Sequence, residues 1–312
     1  MKKTLSELHI EFLKQQEFTA KLREDTLRGY KQAFDLLNKI MPDLTIDMLT
    51  SEIMTEFFKR LEKRTRILNS GKTKQGIKVS TVATYRSKLS SFFDWLVNKE
   101  LLRKNPFSEI PYPDVNYDDK KWLKKEEVEK IFTHINLHSA SPFLRNRNHL
   151  IFSILLHSGL RRGELINLRI IDIDITRKTL KVRPETSKSK IERTLPLNSA
   201  TIKCLKEYLE DIKKRSGSCE YLLRSENGTD RFTAHGLKHL IATIVKMSGV
   251  KFTAHQFRHT FAVNMLFLGA DLAKLKQLMG HKDIRMTAAY LRCLPTSAMR
   301  GDIERLNFDN LI

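Results

Sequence analysis

The stretch that decides how this chain is read is His255-Gln256-Phe257-Arg258-His259, followed by Gly280-His281 and then by Tyr290. It sets a guanidinium, several imidazoles and one phenol within a few short segments. His255 and Arg258 are three residues apart, so on a helix they share a face. Apolar spacing predicts helices over residues 255–268, 272–279 and 284–291, with Gly280-His281 at a helix end. Taken singly, each group is compatible with ordinary packing. His255 and His259, at i and i+4, also have the spacing of a metal pair. However, no HExxH glutamate lies between them and no carboxylate cluster flanks them.

Working outward, the polar groups gain company. An apolar helix over residues 150–157 is stopped by Ser158-Gly159, and Leu160-Arg161-Arg162-Gly163-Glu164-Leu165 follows. Arg161 comes after a glycine, where a side chain can emerge into a cleft. Glu164 lies one helical turn on, able to orient it. Residues 170–175 alternate Ile and Asp, a period-two strand pattern. Residues 179–182 and 193–197 read as two further strands. A small antiparallel sheet is thus expected inside a helical domain, with the turn that carries Lys188 held out toward a ligand. Further helices are expected over 124–132, 200–214, 235–247 and 297–306.

The first third reads as helices only. Leu5, Leu8 and Phe12 begin an amphipathic stretch. Leu27, Tyr30, Phe34, Leu37 and Met41 make a second stripe, with Asp25 placed to cap and Pro42 to stop it. Ile53, Phe57 and Leu61 make a third. A polar loop over 69–76, with Lys72, Lys74 and Lys78 in or beside it, leads to a fourth helix that Ser80 would cap. Val82, Tyr85, Leu89, Phe92, Phe93 and Leu96 form its apolar face. Lys72, Lys74, Lys78 and Arg86 here, and Lys190 later, are the candidate phosphate contacts.

Composition limits the partners. The chain has 312 residues, 41% of them hydrophobic, and a formal net charge of +20. That is enough for two domains with real cores, and it excludes a disordered chain. So large a basic excess, present in both residues 1–112 and residues 113–312, implies a polyanionic partner. No apolar run reaches the ~20 residues of a membrane span, and no signal core follows Met1-Lys2-Lys3, so a cytoplasmic, nucleoid-associated protein without membrane contact is expected. Cys204, Cys219 and Cys293 are odd in number and form no CxxC pair, which argues against a disulfide framework or a zinc ribbon. Pro111 and Pro113, then an aperiodic charged run, mark a linker. The expected division is residues 1–112, a linker at 113–120, and residues 121–312.

In this combination and order the residues resemble the tyrosine recombinases, or phage-integrase family, a group that includes the bacterial chromosome-dimer resolvases. The family's TGLR-x-x-E-L pattern matches Ser158 to Leu165. Its hairpin lysine matches Lys188, eight residues before Pro196, with Lys190 as the fallback. H-x-L-R-H matches His255 to His259 with Phe257 in place of Leu. LGH matches Met279-Gly280-His281, and Tyr290 follows that histidine by nine residues. Asn105-Pro106-Phe107 resembles the end of the family's core-binding domain.

The resemblance implies a mainly α fold. An N-terminal helical-bundle core-binding domain joins a mixed catalytic domain with a small three-stranded antiparallel sheet, and the two form a clamp around DNA. It implies a site-specific recombinase acting on double-stranded DNA, without metal, ATP or other cofactor. Tyr290 would attack a phosphodiester and form a 3′-phosphotyrosine. Arg161 and Arg258 would hold the phosphate oxygens, their charges favouring phenolate. His281 would hydrogen-bond an oxygen, His255 would accept the tyrosine proton, and Lys188 would protonate the leaving 5′-oxygen. Glu164 would orient Arg161 or His255, and His259 is left as structural. Four protomers on two duplexes, a Holliday junction, possible accessory proteins and a docking segment at 297–312 complete the expectation. The alternatives are a DNA-binding protein that kept the fold without cleavage, and a related telomere-resolving or DNA-relaxing enzyme.

Overall fold

The computed structural model describes residues 3–67, 71, 73–114, 122–187, 189–215, 217–227, 230–294 and 296. The chain divides into two compact units, Met1–Tyr117 and Asp118–Ile312. The expected docking segment at 297–312 and most of the expected linker lie outside the described residues.

In the first unit, four helices enclose an aromatic core. Helix α1 (Leu5–Phe18) starts at a capping box, in which the Thr4 hydroxyl accepts from Glu7 N and the Glu7 carboxylate accepts from Thr4 N. Helix α2 (Glu24–Ile40) is not capped by Asp25. Arg23 holds the cap position, its side chain making no capping hydrogen bond to the first turn, and Glu24 and Asp25 sit in that turn, where their charge complements the helix dipole. Helix α3 (Ser51–Lys63) is capped by Thr50, whose hydroxyl accepts from Ile53 N. Helix α4 (Val79–Asn98) starts one residue ahead of Ser80, with Lys78 at the cap. Phe12, Leu37, Phe57, Phe92, Phe93 and Leu96 are buried between the helices. The His9 ring joins them, stacked on Phe34 at 4.0 Å between centroids, and burial pushes its pKa down to about 4.

A two-stranded hairpin replaces part of the expected loop. Strand β1 (Thr65–Ile67) pairs antiparallel with β2 (Thr73–Gln75), Arg66 facing Lys74. Strands of three residues, with Ile67 exposed, carry no readable hydrophobic alternation. Arg86 is also placed otherwise than expected. It donates to the carbonyls of Phe107 and Ile110, and its guanidinium lies 4.9 Å from the Tyr112 ring centroid. Its charge ties the segment after α4 back onto that helix instead of standing ready for a phosphate.

In the second unit, α5 (Lys125–His138) precedes α6 (Pro142–Ser158), which forms the centre. Residues Leu150 to Leu155 are buried in succession, so α6 is covered on most of its circumference; α8 (Ser199–Lys213) and α10 (Ala254–Phe267) pack against it. The short α7 (Arg162–Ile166) comes next. The sheet has the order β3 (Ile173–Asp174), β4 (Thr179–Val182), β5 (Arg193–Pro196), antiparallel throughout, with Leu180 opposite Leu195. The expected first strand is cut short. Asp172 accepts from Arg169 N at 2.8 Å and pairs with Arg183 at 3.1 Å, which turns residues 170–172 into a single 3₁₀ turn. Helices α9 (Ala234–Ser248), α11 (Leu272–Met279) and α12 (Arg285–Ala288) are the remaining α-helices among the described residues of this unit, and α12 is shorter than the helix expected over 284–291. Among the described residues no helix is long and apolar enough to cross a membrane.

Candidate active site

Two glycines bring the site together. Gly159 ends α6 and Gly280 ends α11, both in the left-handed region (φ +61° and +62°). A Cβ on Gly159 would lie 2.4 Å from the Phe261 ring, and one on Gly280 would lie 2.8 Å from Arg193 Nη1. Both positions therefore require glycine for conformation and for space. Each turn frees a carbonyl. Arg161, at the start of α7, donates from Nη2 to the Gly280 carbonyl at 3.0 Å. Arg258, on α10, donates from Nη2 to the Met279 carbonyl at 2.7 Å and from Nη1 to the Gly159 carbonyl. Two guanidiniums thus converge on two consecutive carbonyls, although Arg161 and Arg258 are 97 residues apart in the chain.

His281 follows directly. Its Nε2 is 3.0 Å from Arg258 Nη2 and its Nδ1 is 2.9 Å from the Thr287 hydroxyl. An arginine nitrogen can only donate, so Nε2 accepts, and the ring proton on Nδ1 is donated to Thr287. Arg258 is 1% exposed. Burial, then the charge of Arg161, draws its pKa down to about 9, against the pull of Glu164 and Tyr290. It remains a cation at neutral pH, buried and with surplus positive field.

Glu164 is the anchor beneath. It accepts from Arg161 N and Arg161 Nη1, both at 2.9 Å, from the Ser187 hydroxyl at 3.1 Å, and from both terminal nitrogens of Arg193. Burial works to raise its pKa. The Arg193 bonds and the charges of Arg193 and Arg161 overcome that and hold it at about 2. Arg193 is the residue the sequence reading passed over. A signal was present: in Arg193-Thr194-Leu195-Pro196 the buried positions are 193 and 195, so an arginine stands where an inward apolar residue belongs.

Tyr290 lies just after α12, 2% exposed, its ring parallel to that of His281 at 6.4 Å. Burial pushes the phenol up, and the arginines Arg258 and Arg161 only partly offset this. The two arginine charges act in the expected direction, toward phenolate, but in this environment desolvation of the charge is the larger effect. The Tyr290 hydroxyl is 2.9 Å from His259 Nδ1. His259, left as structural on the sequence, thus touches the phenol oxygen. His255 is exposed one turn earlier on α10, its ring 4.2 Å from that of His259.

The remaining candidates are less fully placed. Lys188 and Lys72 lie outside the described residues, as does the side chain of Lys74. Ser187 and Ser189, on either side of Lys188 in sequence, are buried and hydrogen-bonded to each other at 2.8 Å. Lys190 is exposed with a left-handed backbone (φ +54°), and Lys78 is exposed at the start of α4. Among the described residues no three His, Cys, Asp or Glu side chains group as metal ligands.

A fold with a buried and a half-buried arginine, a histidine and a tyrosine so arranged defines a class, and comparison with known proteins gives its name. The phage integrase family model matches residues 121–296, and the phage integrase SAM-like domain matches residues 4–113. The chain belongs to the phage integrase family, the tyrosine recombinases. It is similar to tyrosine recombinase XerC of Bacillus pumilus, 28% identical over 297 residues covering 93% of this chain and 92% of the relative. It is also similar to XerC of Staphylococcus saprophyticus, 27% identical over 270 residues covering 86% of each. In fold it is similar to the Tn1549 transposon integrase in complex with a circular intermediate DNA. That match has a TM-score of 0.77 at 22% identity and covers 98% of this chain and 100% of that one. A λ integrase dimer bound to a COC′ core site matches with a TM-score of 0.71 at 18% identity, over 92% of this chain and 95% of that one.

Proposed function

We propose that this protein is a site-specific DNA recombinase that breaks and rejoins strands through a phosphotyrosine on Tyr290. The observation that carries the reading is the placement of Arg161 and Arg258 on the consecutive carbonyls of Met279 and Gly280, beside His281 and Tyr290. A phosphodiester is an anion of the right size for such a cluster. Its attack by a phenol adds negative charge to the non-bridging oxygens. Preset guanidiniums stabilise that charge without reorganising. Glu164 is not positioned to react; it fixes Arg161 and neutralises Arg193.

In this reading residues 1–112 grip the DNA core site, residues 113–120 link, and residues 121–312 carry the chemistry. The two compact units and the two matched segments support that division. Lys188 protonates the leaving 5′-oxygen; because one phosphate ester is exchanged for another, the phosphotyrosine keeps the bond energy for rejoining and neither metal nor ATP is used. Lys78 and Lys190 are the exposed described lysines assigned to phosphate contact. Four protomers on two duplexes exchange strands through a Holliday junction, with accessory proteins where the element uses them. A mobile genetic element is the expected setting and the cytoplasm the expected compartment.

The test is a nicked suicide duplex, chosen from a random pool by binding to this protein. Wild type should leave a protein–DNA adduct on a denaturing gel, and Tyr290→Phe should leave none. Binding without an adduct would reduce the protein to a DNA-binding relative of the enzymes. An adduct with Tyr290→Phe would remove Tyr290 from the chemistry.

A further inference from the structure

We propose that His259 is a catalytic residue, the group that takes the proton of Tyr290 as the phenol attacks phosphorus. This rests on the reading of Tyr290 as nucleophile and adds to it the identity of the base. A general base must lie within hydrogen-bond reach of the proton it removes. His259 Nδ1 lies 2.9 Å from the Tyr290 oxygen. Both side chains are buried, so the pair is shielded from bulk water.

The surroundings explain why a base is needed. The titratable and charged groups acting on the phenol include Arg258, Arg161 and Cys293, with His281 parallel to its ring. The arginines ease the formation of phenolate, but burial outweighs them and the proton stays on at neutral pH. His281 is poorly disposed for the task, because Arg258 donates to its Nε2 and its Nδ1 is engaged by Thr287. His259 is an imidazole, and it stands edge-on to the exposed ring of His255, with solvent one ring away.

The step balances as follows. The bond from Tyr290 Oη to phosphorus forms and the bond from phosphorus to the 5′-oxygen breaks. The Oη proton passes to His259 Nδ1, and the 5′-oxygen receives its proton from the acid, the role assigned to Lys188. In rejoining, the 5′-hydroxyl gives its proton back to the deprotonated acid as it attacks phosphorus, the bond from phosphorus to Tyr290 Oη breaks, and His259 returns the proton to Oη.

The experiment is single-turnover cleavage of the selected suicide duplex, run on two forms, one ordinary and one with sulfur at the bridging 5′ position. The sulfur leaves without needing a proton. His259→Asn keeps a polar group near the place of Nδ1 but cannot act as a base. It should bind DNA as wild type does and cleave both duplexes about 10²-fold more slowly at neutral pH, recovering as pH rises toward the phenol's own ionisation. Lys188→Ala, by contrast, should recover on the sulfur duplex. The proposal is overturned if His259→Asn cleaves at the wild-type rate, if sulfur rescues it, or if the same loss appears in His255→Asn alone. Should His259→Asn fail to fold, the wild-type pH–rate profile on the sulfur duplex decides. A rise governed by one group in the imidazole range supports a histidine base, and a rise only in the phenol range overturns it. Continued adduct formation by Tyr290→Phe would instead remove the nucleophile reading beneath the proposal.

Discussion

Both terminal nitrogens of Arg193 point into the carboxylate of Glu164, at 3.1 and 2.7 Å, while Arg193 Nε donates to the Leu278 carbonyl at 2.8 Å. One buried side chain on β5 therefore joins the start of α7 to the end of α11. These are the segments that present Arg161 and Gly280-His281. Bidentate geometry of this kind suits arginine and not lysine.

Arg193→Ala should accordingly damage both stability and cleavage. Removing one partner of a buried ion pair leaves charge uncompensated, and with Arg161 still beside Glu164 the cost should be about 3 kcal/mol. Urea unfolding measures it. Cleavage at saturating protein should fall further than DNA binding does, and Arg193→Lys should restore stability only in part. Full function in Arg193→Ala would show that Glu164 and Arg161 hold their places without it.

Glu164 makes the catalytic unit acid-sensitive. Its pKa falls from an ordinary 4.5 to about 2 on folding. A lowered folded value means stability present above the unfolded pKa and lost as pH drops toward the folded one. The loss should therefore develop between about pH 4.5 and pH 2, and be on the order of 3 kcal/mol. Thermal unfolding of wild type and Glu164→Gln across that range should give curves that converge as pH falls. Parallel curves would mean that Glu164 is not the group responsible.

Two glycines separate backbone need from mere tolerance. Gly280→Ala forces a side chain onto a left-handed residue and against Arg193, so it should cost about 2 kcal/mol or more and disturb cleavage. Gly163 lies inside α7, where an added Cβ meets nothing within 4 Å. Gly163→Ala should leave activity intact and raise stability by about 0.5–1 kcal/mol through helix propensity. Calorimetry on the two variants should find opposite signs.

Arg258→Ala should keep DNA binding and lose cleavage by about 10²-fold or more, since the charge it answers develops during the reaction. Its buried cation has two carbonyls and an imidazole to donate to, an arrangement that a phosphate would complete. Gel-shift affinity beside suicide-duplex yield separates the two effects. Equal losses in both would make Arg258 an anchor for DNA.

Local chemistry made much of this protein legible from its sequence. The glycine before Arg161, the three-residue step from His255 to Arg258, Gly280 before His281, and the interval to Tyr290 depend on turns and helical periodicity. These are properties of neighbouring residues, and the structure brings Arg161, Arg258 and His281 to the same two carbonyl-bearing turns, with the Tyr290 ring parallel to that of His281. Weak local signals misled. The three-residue strands β1 and β2 have no alternation to read, and Asp172 bends an Ile–Asp alternation into a turn by binding Arg169 and Arg183.

Other features were settled by tertiary packing alone. Which histidine reaches Tyr290 depends on how α10 rotates against the segment after α12, and that rotation is set by burying Phe257, Phe261 and Ala262. Arg193 meets Glu164 only because β5 lies across both α7 and the end of α11. The phenol's preference for its proton arises from the sum of burial and two arginine charges, and burial exists only once the chain has folded. The sequence determined which groups would be present and how neighbours would turn. Contacts between distant segments decided which of them touch, because desolvation and hydrogen-bond geometry belong to the packed interior and not to any local stretch of chain.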